Sequence, residues 1–202
     1  MIEINSDYIK IEKTPEEFRS FFISNDDKNL GKNNEDCSDI FLIEIKDGEK
    51  RDININASNL GNTSKIILLI GKNCRVNIRK VIKQDGENTA SVDFLTLVEM
   101  NSKLKIENMI LSKEYSKIDF FERVFSLNKK NDIKINIKVV SRGKSKVFCE
   151  AFVFIDNKSE KSDLNVKEEG FIFDNSKIEF LPKLKIENND VVAGHSASIK
   201  KF

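Results

Sequence analysis

From Ile40 onward, apolar and polar residues alternate with a period of two. The pattern is clear in Ile53-Asn54-Ile55, Val76-Asn77-Ile78, Leu104-Lys105-Ile106, 133–137 and Leu164-Asn165-Val166. Successive side chains of a strand point to opposite faces, so each segment predicts a strand with one apolar and one polar face. Turn-forming Asn, Asp, Ser and Lys precede each one, while only two prolines and eight glycines occur in the chain. Asparagine can supply the missing turn chemistry, because it tolerates left-handed backbone. The strands recur regularly: Val76, Leu104, Ile133, Leu164 and Val192 are separated by 28, 29, 31 and 28 residues. Between them, Val92, Ile118, Val147 and Ile178 follow at 26, 29 and 31. Two interleaved series with one shared repeat predict a β-helix, in which every coil adds a strand to each of two faces. Periodicity alone leaves a β-sandwich or meander equally open.

The region 1–39 reads differently from the β region 40–202. Thr14-Pro15-Glu16-Glu17 is a helix-start signal, with a hydroxyl cap, proline at the first helical position and acidic residues facing the helix dipole. Phe18, Phe21 and Phe22 then share one face, which predicts a short helix over 15–23. A polar, turn-rich loop is expected over 24–38.

Composition removes several function classes. Lysine plus arginine (34) nearly cancels aspartate plus glutamate (33), so no basic excess points to nucleic acid or an anionic membrane. The densest apolar run, 66–70, is far too short to span a bilayer. The N-terminus lacks the basic flank and apolar stretch of a secretory signal. Cys37, Cys74 and Cys149 form no CxxC pair, which predicts reduced thiols in a cytoplasmic protein. Gly71-Lys72-Asn73-Cys74 lacks the remaining elements of a phosphate-binding loop, so the chain is not expected to hydrolyse ATP.

His195 is the one histidine, flanked by the small residues Gly194, Ser196 and Ala197. An imidazole there could ligate metal or pass protons, or be a surface residue with no role. No G-x-S-x-G elbow accompanies it, and no two of His195 and the cysteines have structural-zinc spacing. Asp156, Glu160, Asp163, Glu168 and Glu169 would suit a carbohydrate-active β-solenoid if two of them faced one glycosidic bond. Interspersed lysines favour reading them as solvated, salt-bridged faces. Phe152, Phe154, Phe171, Phe173 and Phe180 are expected in the core or at a lateral interface, and Cys149 as a buried thiol.

The stretch 182–199 resembles the signature of the SufB/SufD family of iron–sulfur cluster assembly proteins. Pro182, Leu184, Ile186, Asp190-Val191, His195, Ala197, Ser198 and Ile199 stand at the spacings of that pattern. Upstream, Phe154-Ile155-Asp156, Lys161-Ser162-Asp163 and 170–174 resemble the family's strand, turn and apolar strand. The resemblance is specific over 147–199 and general over 40–146. It implies an all-β, right-handed parallel β-helix core, here with the short N-terminal helix added. It also implies a complex with a SufB-like subunit and a SufC-like ABC-type ATPase, a homodimer being the alternative pairing. In SufD-type subunits the histidine of this motif lies at the SufB interface and is implicated in cluster assembly, which assigns that role, and iron contact, to His195.

Departures from the family pattern bear on the subunit type. Lys167 stands where a SufB-type scaffold would carry cysteine, Ser196 replaces an acidic residue, and Ala193 replaces a cysteine of some SufD chains. Val166 takes the place of a turn glutamine. Without those ligands the lone chain is not expected to hold a cofactor stably; a cluster would form transiently at the partner interface. The resemblance thus favours a SufD-like, non-catalytic subunit. A β-solenoid carbohydrate-active enzyme and a degenerate structural module with His195 idle are the alternatives. The family's ATPase-docking helices would lie beyond Phe202, so the resemblance does not say how an ATPase would dock.

Overall fold

The computed structural model describes residues 1–11, 16, 37–61 and 63–202. Apart from residue 16, the helix expected over 15–23 lies outside them, as does nearly all of the loop expected over 24–38. Fourteen strands are described: β1 (Ile2–Ile4), β2 (Ile9–Ile11), β3 (Cys37–Ile45), β4 (Lys50–Ser58), β5 (Thr63–Ile70), β6 (Arg75–Gln84) and β7 (Thr89–Val98). They continue as β8 (Lys103–Ser112), β9 (Lys117–Ser126), β10 (Asp132–Ser141), β11 (Lys146–Ile155), β12 (Ser162–Ile172), β13 (Lys177–Ile186) and β14 (Val191–Lys201). The even strands from β4 to β14, with β1 at one edge, form one seven-stranded sheet. The odd strands from β13 down to β3, with β2 at the far edge, form the other. From β3 onward every pairing is parallel; only β1 on β4 and β2 on β3 are antiparallel. The chain is therefore a parallel β-helix of about six coils, not a sandwich.

Inward parity builds the core. On the even sheet Ile53, Val76, Ile78, Leu104, Ile106, Ile133, Ile135, Leu164 and Val166 form apolar ladders, all at most 3% exposed. The outer face of that sheet alternates with solvated Lys, Asn, Asp and Glu. The odd sheet differs: Ile66, Leu68 and Ile70 face inward, while Ile67 joins Ile40, Leu95 and Phe125 in a second apolar cluster on its outer face. With both faces buried, β5 loses its alternation, which explains the unbroken apolar run at 66–70.

The corners repeat as faithfully as the strands. At one corner Gly48, Asn73, Asn101, Lys130 and Lys161 all have positive φ, between 54° and 78°. The residue after each of the last four begins a ladder. Cys74 N–H donates to Ser102 Oγ, Ser102 N–H to Asn131 Oδ1, and Asn131 N–H to Ser162 Oγ, at 3.0 to 3.1 Å. At the opposite corner Gly86, Glu114, Gly143 and Asp174 take the left-handed position, at φ between 56° and 76°. There Ser176 Oγ lies 2.8 Å from the Ser141 carbonyl of the coil below, while the Ser116 and Ser145 hydroxyls donate to the Lys113 and Arg142 carbonyls of their own turns at 2.7 and 2.8 Å. Buried backbone groups at the bends are thereby satisfied without water. Asparagine fills only part of the left-handed set, because glycine, glutamate, lysine and aspartate hold equivalent positions.

Among the described residues, β13 and β14 are the edge strands at one end of the two sheets. Leu181, Ile186, Val192, Ile199 and Phe202 are exposed there, Val192 to 72%. A long strand edge with apolar neighbours is a template for pairing with another chain.

Candidate functional site

His195 lies on β14 opposite Val166 of β12, so its side chain is on the parity that faces the interior. Its imidazole is 23% exposed, and Nε2 lies 2.9 Å from Oε2 of Glu168, diagonally across on β12. Glu168 is on the same inward parity, between Val166 and Gly170, and its side chain is fully buried. This corrects the expectation that 168 belongs to a solvated, salt-bridged face. Its neighbour Glu169 does fit that expectation, pairing outward with Lys167 and Lys138. Burial pushes the Glu168 carboxyl up, opposed by the hydrogen bond and charge of His195. Its second oxygen, Oε1, has no hydrogen-bond partner among the described residues.

Gly170 makes room beside the pair. A Cβ there would lie 3.1 Å from the Phe180 ring and 3.2 Å from Ile199. Phe180 is thus drawn inward, in register with Cys149 and Phe120. Phe152 and Phe154 pack against Phe125 on the outer face instead. Phe171 and Phe173 stack on Phe202. Cys149 is fully buried, as expected, and its thiol is pushed well up by burial and then by the negative charges of Glu168 and Glu122. That makes it a poor thiolate donor. Cys74, also buried, donates to the Lys46 carbonyl at 3.1 Å.

Glu168 ends an internal polar series that sequence reasoning missed. Lys80 on β6 and Glu122 on β9 form a fully buried ion pair of 2.6 Å across the interior, with Asn108 Nδ2 donating to the same Glu122 oxygen at 3.2 Å. The Lys80 ammonium lies 3.7 Å from the Phe94 ring centroid. Register places Lys80, Asn108, Ile137 and Glu168 on one ladder of the even sheet. The available signal was parity. Each polar residue stands where an alternating strand should carry an aliphatic side chain: Lys80 between Ile78 and Ile82, Glu122 between Phe120 and Val124.

The outer face of the even sheet has a groove of about 450 Å³ lined by Arg79, Glu107, Lys138, Lys167 and Glu169, among others. Its carboxylates are already engaged. Hydrogen bonds from Lys105 hold Glu107 below the ordinary carboxylate range, and those from Lys167 do the same for Glu169. A glycosidic general acid needs the opposite shift, so this groove lends the carbohydrate-active reading no support. Among the described residues no three His, Cys, Asp or Glu side chains converge as a metal site. No helix among the described residues is long and apolar enough to cross a membrane.

No match is found among curated proteins. The family model for the SUF system FeS cluster assembly, SufBD core domain, matches residues 50–202, which takes in every coil from β4 to the open end that carries His195. The chain belongs to the SufBD core-domain family of the SUF system for FeS cluster assembly.

Proposed function

We propose that this chain is a SufD-like, non-catalytic subunit in iron–sulfur cluster assembly, working in the cytoplasm with a SufB-like chain and an ABC-type ATPase. The observation that carries the reading is the position of His195. It sits on β14, an edge strand among the described residues, partly exposed and tethered to Glu168. In this reading β14 docks on the partner's sheet and satisfies its open backbone groups. The imidazole then meets iron or sulfur held by the partner's thiolates. Imidazole can replace thiolate as an iron ligand in clusters, so a single nitrogen from this side is a chemically sufficient contribution.

Three features favour the SufD-like over the scaffold role. Lys167 points outward and is paired with Glu169 where a scaffold would carry cysteine. Cys149 is sealed and disfavoured as a thiolate, and Ala193 and Ser196 offer no strong ligand. The cluster is cargo assembled at the interface, with ATP hydrolysis left to the partner. Free, buried Cys74 and Cys149 suit a reducing compartment.

Co-expression with candidate SufB-like and ABC-type ATPase chains tests the pairing, read by co-purification and by amide hydrogen exchange. The expected result is a stable complex in which the amides on the free side of β14 gain protection. Protection elsewhere, with β14 exchanging as in the lone chain, would reject the edge-docking reading.

A further inference from the structure

The Glu168 contact has a consequence for which atom of His195 is available. A neutral imidazole carries one N–H and one lone pair, and its partner decides which nitrogen holds which. In its carboxylate form Glu168 only accepts, which makes Nε2, 2.9 Å from Glu168 Oε2, the donor. The lone pair then falls on Nδ1, for which no hydrogen bond or ion pair appears among the described residues. We propose that Glu168 is a positioning residue that holds His195 in the Nε2–H form and leaves Nδ1 as its ligating atom. The inference rests on the functional reading above and deepens it.

The surroundings make the tether stiff. Glu168 is held on a fully paired strand, between β10 and β14, with its side chain completely enclosed. His195, by contrast, is on an edge strand with one neighbour among the described residues, where an unsupported imidazole would turn more freely. A buried carboxylate that grips the ring fixes both its orientation and its tautomer, and raises its basicity as a ligand. The arrangement also explains why an acidic residue occupies an inward position one step from the open end, where an aliphatic side chain would pack without cost.

His195 is the only histidine of this sequence, so imidazole nitrogen resonances of the ¹⁵N-labelled chain report on this one ring. The expected wild-type spectrum has a pyrrole-like Nε2 and a pyridine-like Nδ1. In Glu168→Gln the amide can accept or donate, so both forms should appear and the two nitrogen shifts should move toward each other. A wild-type ring protonated on Nδ1, or a Glu168→Gln spectrum identical to wild type, overturns the proposal.

The second arm uses the co-expressed complex. Glu168→Gln is expected to lower iron and sulfide per complex by about tenfold, the usual scale for losing a ligand's hydrogen-bond partner. The loss should vanish in a His195→Ala background, because the two residues act as one unit. A full yield from Glu168→Gln despite the altered tautomer overturns the positioning role. A full yield from His195→Ala instead overturns the functional reading, while the spectrum of the lone chain still decides whether Glu168 sets the tautomer.

Discussion

Lys80 and Glu122 meet at 2.6 Å inside the solenoid, each side chain fully buried, and join the inner faces of the two sheets. Two charges withdrawn from water gain from each other only part of what desolvation costs. Burial accordingly pushes Lys80 down and Glu122 up from their ordinary values, with each partner opposing the shift.

The first prediction follows from that balance. Lys80→Met or Glu122→Leu alone should destabilise the chain by about 3–5 kcal/mol, since each strands a buried charge. The double variant should recover most of the loss and could exceed wild type by about 1–4 kcal/mol. Denaturant unfolding of the four proteins gives the coupling directly.

A second prediction concerns the stacked corner. Gly143 has φ +70°, and a Cβ there would lie 2.9 Å from the Glu114 carbonyl oxygen of the coil below. Gly143→Ala should therefore cost about 1–3 kcal/mol. Glu114 holds the equivalent left-handed position, at φ 56°. Glu114→Gly relieves about 1–2 kcal/mol of steric cost and loses about 0.5–1 kcal/mol to chain entropy, for a net gain up to about 1.5 kcal/mol. Thermal midpoints of the two variants should move in opposite directions.

The outer ion pairs predict an acid response. Hydrogen bonding and charge from Lys167, with help from Lys138, hold the Glu169 carboxyl below its ordinary value of 4.5. A depressed folded-state value means the favourable contribution is present above 4.5 and is lost as pH falls through the lower folded value. Lys167→Ala should raise the Glu169 titration midpoint toward 4.5, read from its side-chain carbonyl resonance. Lys138 keeps the recovery partial.

Much of this architecture was legible from alternation and spacing. The repeat seen from Val76 to Leu104 to Ile133 to Leu164 is the register of four successive coils. Two things escaped. The strands β1 and β2 are three residues each and pair antiparallel outside the repeat, so no periodic signal announces them. Flanking Lys167 and Glu169 suggest a solvated face for Glu168, whereas parity with Val166 places it inside. His195 was found through its motif, but the motif carries no information about the carboxylate 27 residues earlier that grips its ring. Such a contact arises only when the coils stack.

The central claim is that one imidazole on the terminal strand completes a cluster site supplied mainly by another subunit. The most direct measurement is iron and acid-labile sulfide in the co-expressed complex, comparing wild type with His195→Ala at equal subunit composition. The account predicts that the variant complex assembles normally and loses most of its iron and sulfide. Equal iron and sulfide in the two complexes would contradict it.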